Sequence, residues 1–256
     1  SERGADVETG VGHEGHGARG SLGFGHRRIQ TIVSTTVNCW GAVIAWRPMP
    51  TTAPSLPASE PTVGVDGRRQ RRDRNRDAVV RALLQLYRSG NFDPSIDEIA
   101  TRSGVSARSV FRYFDDVDDL ANAAIDQQLL DVAHLFPVKV GHDADFAERV
   151  AAVVHQRSSL FEAIASVGQV SRLRAPFNKV VAARLAEGRA ALRDQLAGLF
   201  ARELRAFPAA VRAQRLAAAD VLAGFEGWHL LRTDQGLTVA DAEAVLADSL
   251  ARLLEG

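Results

Sequence analysis

The chain has 256 residues, 46% of them hydrophobic and 24% charged, with a formal net charge of zero. That is enough apolar material for one large domain or two smaller ones, and the balanced charge excludes a uniformly basic or acidic surface. A single cysteine, Cys39, excludes a disulfide framework and fits a reducing compartment.

Residues 1–65 read as an extension. The first 29 are rich in Gly, His, Glu and Arg without an apolar period, as in a flexible polar tail. His13, Glu14 and His16 lie close in sequence and could touch a metal, but the flexible polar tail is the favoured reading. The stretch "QTIVSTTVNCWGAVIAW" at 30–46 is apolar, yet Gln30, Ser34, Thr35, Thr36, Asn38 and Gly41 interrupt it. It falls short of the ~20 apolar residues of a membrane-spanning helix. A Pro/Ser/Thr linker follows. The functional chain is expected to begin near residue 66, with no membrane partner.

From Asp66 to Arg88 there are eight Arg and three Asp, a local excess of positive charge. Val80, Leu83, Leu84 and Tyr87 recur at i, i+3, i+4 and i+7, which predicts a helix with one apolar stripe. Gly90 suits its left-handed C-cap. Ser95 and Glu98 form a capping-box pattern ahead of a second, short helix carrying Ile96, Ile99 and Ala100. Gly104 ends that helix and Ser106 caps a third, on which Val110 and Phe114 share the inward face.

Two short helices joined by a glycine-containing turn make a helix-turn-helix, whose second helix enters the DNA major groove N-terminus first. The residue types fit that task. Ser106 and the free N–H groups beside it can reach a phosphate. Ala107 permits close approach and can meet a thymine methyl, and Arg108 carries the fork that matches guanine O6 and N7. Ser109, Arg112 and Tyr113 fill the remaining outward arc. Arg68, Arg69, Arg71 and Arg72 are expected along the phosphate backbone or in the minor groove.

The run "IATRSGVSARSVFRYF" followed by "DDL", with Gly90, Ser95 and Leu120, resembles the TetR-type transcriptional regulators over roughly 50 residues. The resemblance implies an all-α protein. A three-helix DNA-binding domain would precede a larger helical domain for ligand binding and dimerisation. It assigns Ser95 to a phosphate contact and Tyr113 to a position often His or Tyr. Phe111 stands where a backbone-touching Tyr is common, and Val117 where a Lys is usual. The domains are then expected at 66–120 and 121–256.

Beyond residue 120 the pattern predicts helices at 118–134, 144–167, 175–205, 208–232 and 238–254, with Pro137, Pro176, Pro208 and Gly236 near their ends. Ala242, Leu246, Leu250 and Leu253 form one stripe, and Leu222, Phe225 and Trp228 or His229 mark another. Leu222, Phe225, Leu246, Leu250 and Leu253 are expected at a homodimer interface, a four-helix bundle about a symmetry axis. A dimer would select a palindromic double-stranded operator. His134, His155, Phe161, Glu162, Gln169, Phe177 and Trp228 are the candidate lining of an effector pocket.

No catalytic set, metal site or phosphate loop emerges, so neither an enzyme nor a cofactor is expected. His155 and Glu162 lack a third ligand. The reading is a cytoplasmic, effector-responsive dimeric repressor. A helix-turn-helix factor without small-molecule control is the alternative.

Overall fold

A computed structural model describes residues 63–255; the expectations for the tail, the apolar run, Cys39 and the linker lie outside these residues. Every regular element within them is helical. In chain order they are α1 (Val63–Arg88), α2 (Ile96–Ser103), α3 (Ala107–Tyr113) and α4 (Val117–Val132). A 3-10 turn (Ala133–Leu135) leads to α5 (Phe146–Arg174), α6 (Lys179–Leu199), α7 (Ala201–Arg205), α8 (Ala209–Leu222) and α9 (Phe225–His229). A π-turn (Leu230–Asp234) precedes α10 (Val239–Leu254).

Local signals set the first turns. The capping box forms: Ser95 Oγ accepts the Glu98 N–H at 3.3 Å, and Glu98 Oε2 accepts the Ser95 N–H at 2.8 Å. Gly104 takes φ 68°, the left-handed cap that lets the chain turn from α2 into α3. Ser106 caps α3 by accepting the Ser109 N–H.

Two hydrophobic cores organise the packing. In the first, Val79, Val80, Leu83, Leu84 and Tyr87 of α1 meet Ile99, Val110, Phe114 and Leu120. This core continues into Ala124 and Ile125 of α4, Val167 and Val170 of α5, and Val181 of α6. The helix α4 runs straight through residue 120, and this core spans both sides of it. The second core joins Val150, Val153, Phe161, Leu196, Phe200 and Trp228 with Leu246, Leu250 and Leu254.

Three predicted helices differ in extent. The helix expected to stop at 167 continues to Arg174, because Gly168 is a contact point rather than a terminator. A Cβ there would sit 2.7 Å from the Phe225 ring. The segment 175–205 starts later and breaks at the buried Phe200, and 208–232 breaks at Ala223 and Gly224. At that second break the chain folds back on itself tightly. A Cβ on Gly227 would lie 2.7 Å from the Leu222 carbonyl oxygen.

Candidate nucleic-acid interface and effector cavity

Helix α3 turns Val110 and Tyr113 inward and leaves Ser106, Arg108, Phe111 and Arg112 exposed, with Ala107 and Ser109 half-buried. Arg108 has no carboxylate partner among the described residues, so its five donors are free for an acceptor. Ser109 Oγ accepts from Ser106 Oγ at 3.0 Å, tying the two hydroxyls into one small polar cluster at the start of α3.

Tyr113 corrects the sequence expectation. Its ring is buried in the first core, and its hydroxyl accepts from Asn75 Nδ2 at 3.2 Å and from Arg112 Nη2 at 3.4 Å. These bonds, Asn75's first, lower the phenol's pKa. The side chain therefore clamps α3 to α1 instead of standing free on the outward arc. Ser95 is exposed, but its hydroxyl donates to Glu98 Oε2 at 2.7 Å, so a phosphate must compete with an adjacent carboxylate for it.

Arg68, Arg69, Arg71 and Arg72 are all exposed and all lie within α1. A helix with side chains is about 10–12 Å across and the minor groove about 6 Å wide, so only the arginine side chains, and not α1 itself, could reach into such a groove. Val117, where a Lys is usual in the family resembled, begins α4 behind the cap Asp116. Asp118 there pairs with Arg174 of α5 at 2.8 Å, which ties the start of α4 to the long helix.

A cavity of about 490 Å³ lies between α4, α5, α6, α8 and α9. Ile125, Leu129, Phe136, Leu160, Phe161, Ile164 and Phe225 supply its apolar wall. Gln128, Ser171, Arg172, Arg184, Arg189, Asp220 and Glu226 supply polar groups. Of the residues predicted to line a pocket, only Phe161 does. Phe177 is 90% exposed in the turn between α5 and α6, and His134 is exposed after α4. His155 is exposed and faces Glu243 of α10 at 3.6 Å. Gln169 lies one position off the wall.

Glu162 and Trp228 form a strut on the far side of α5. Trp228 Nε1 and Arg232 Nε each donate to Glu162 Oε1 at 2.9 Å, and these bonds, Arg232's first, lower the Glu162 pKa.

The wall residues that sequence reading missed are paired across long separations. Arg184 Nη2 meets Asp126 of α4 at 2.9 Å, and Gln128 Oε1 accepts from Arg88 Nη2, on the last turn of α1, at 2.9 Å. One sequence signal was available. Gly168 and Gly188 sit in helix interiors, where glycine costs about 1 kcal/mol relative to alanine, and both line the cavity.

The interface expectation is also corrected in part. Phe225, Leu246 and Leu250 are buried in the second core of the single chain, at 5%, 2% and 0% exposure, where a partner cannot reach them. The stripe on α10 is spent on α5 and α8. Leu222 is 39% exposed and Leu253 half-buried, so these two remain reachable.

Among the described residues no group of three His, Cys, Asp or Glu side chains could hold a metal, and no helix is long and apolar enough to cross a membrane.

The helix-turn-helix on a two-core helical body defines an architecture found in solved transcriptional regulators. The chain is similar to a tetR-family transcriptional regulator from Streptomyces coelicolor, with 23% identity and TM-score 0.53, over 70% of this chain and 81% of that one. It is also similar to a transcriptional regulator from Rhodococcus sp. Rha1, with 17% identity and TM-score 0.55, over 70% of this chain and 95% of that one. The shared property is the all-α fold. No protein-family model and no curated protein matches the sequence.

Proposed function

We propose that the protein is a TetR-type DNA-binding transcriptional regulator, a homodimeric repressor that leaves a palindromic operator when a small molecule fills its cavity. One observation carries the reading. Arg108 and Arg112 stand exposed on a capped helix anchored by Val110 and Tyr113, while a separate apolar cavity opens on the helix that follows. Arg108 reads a base edge, and Ser106, Ser109, Arg112 and the α1 arginines hold phosphates. Reachable apolar side chains near the end of the chain, among them Leu222, Val245 and Leu253, are the material of a dimer face. The reading implies a cytoplasmic protein with no catalytic activity.

Selection from random duplexes, followed by footprinting and sedimentation, tests it. A dimer protecting a two-fold symmetric site supports the reading. A monomer that binds DNA only together with polymerase sinks it.

A further inference from the structure

The cavity is apolar in its depth, and its partly exposed rim is cationic. Glu226 Oε1 accepts from Arg172 Nε at 2.9 Å and also from Arg189 Nη2, so one carboxylate serves two guanidinium groups. Beside it, Asp220 lies 3.7 Å from Arg193 Nη1 and within the field of Arg157. Arg157 is fully buried and has no carboxylate in salt-bridge reach among the described residues. It donates to Gln156, to Gln195 at 2.7 Å and to the Leu192 carbonyl at 2.9 Å, and its Nε is unpartnered. Among the charged groups that line the cavity, Arg172, Arg184 and Arg189 stand against Asp220 and Glu226, with Arg184 also paired to Asp126.

Arg172 is also set in place before any ligand arrives. Its Nη1 donates to the Gly168 carbonyl at 2.9 Å, and its guanidinium lies 3.9 Å from the centroid of the Phe225 ring. Fixing a donor beforehand removes the ordering cost of binding.

We propose that the cavity takes an amphipathic anion, with an apolar body in the depth and a carboxylate at the rim held by Arg172 and Arg189. The proposal rests on the effector reading above and names the chemistry of the effector. A neutral apolar molecule gains nothing from the rim, and a cation meets like charge. A carboxylate gains charge-assisted, fork-shaped hydrogen bonds and balances the second guanidinium. The Glu226 carboxyl, held down to about 2 despite its partial burial, reports the same positive field.

Isothermal titration of the full chain without DNA tests this, using decanoate, decanol and decyltrimethylammonium as probes. Decanoate is expected to bind about tenfold more tightly than decanol, a step of ~1.4 kcal/mol, with the cation weakest. Arg189→Gln should narrow the decanoate-to-decanol ratio. Glu226→Gln, which removes the competing carboxylate, should tighten decanoate several-fold, a gain that a purely structural role would not produce. Equal binding of decanol and decanoate, an unchanged ratio in Arg189→Gln, or no binding by any probe overturns the proposal. Gel-shift with the selected operator separates the two readings. Decanoate that binds as expected but leaves the operator complex intact sinks the effector reading and leaves the anion assignment standing.

Discussion

At the scale of single residues, the two groups of arginines should behave differently. Arg108 stands at the start of α3, so Arg108→Ala should weaken operator binding by about 1–3 kcal/mol and relax preference at one base pair. Arg71 lies exposed on α1, and if it holds a phosphate as proposed, Arg71→Ala should weaken all duplexes alike and lower the salt slope by about 1. Salt titrations of both variants check this; interchanged behaviour would reverse the assignments. Glu226 makes a separate, pH-dependent contribution. Burial alone would raise its pKa, but Arg172 and Arg189 bring it from 4.5 to about 2 in the folded chain. A carboxyl depressed by folding contributes stability above its unfolded value, and that contribution is lost as pH falls. The wild type should therefore lose stability between about pH 4.5 and 2 more steeply than Glu226→Gln. The side chain is half exposed, so salt should flatten the difference. Parallel denaturation curves over that range would show that the pair contributes nothing.

At the scale of elements, caps decide the helix-turn-helix. Ser95→Ala removes one half of the capping box of an eight-residue helix and should cost about 1 kcal/mol, read as a lowered urea midpoint. An unchanged midpoint would mean that tertiary packing alone fixes α2. Such elements were legible because their signals are local: Ser95 with Glu98, Gly104 at positive φ, and the stripe from Val80 to Tyr87. The cavity was not legible for the opposite reason. Arg184 finds Asp126 across 58 residues of sequence, and Arg172 and Arg189 converge on Glu226 from two different helices. The aromatic and His residues singled out as pocket lining were chosen by type, and type does not say which face of a helix looks inward. Phe177 was misplaced because it sits in the turn between α5 and α6 and not on a helix, and Phe225 and Leu250 were assigned to a partner although one chain buries them.

At the scale of the whole molecule, the first core reaches from α1, α2 and α3 into α5 and α6. Val170 of α5, 1% exposed, packs in that core, so Val170→Ala should cost about 1–3 kcal/mol and lower hydrogen-exchange protection in α1 at residues 83–87. Protection lost in α5 alone would mean that the two ends open independently. The length of α1 has a mechanical consequence. The helix is gripped by the core from Val79 to Tyr87 and held at Asn75 by the Tyr113 hydroxyl, while Arg68 projects seven residues beyond that hold, about 10 Å at the helical rise. Over such an arm, a tilt of roughly 18° at the fulcrum carries the Arg68 position through about 3.4 Å, one base step along a strand. Gln128 of the cavity wall holds the opposite end of the same rod through Arg88. In the proposed complex, a rotation of that wall would travel along α1 and shift the register of the arginines against the phosphates.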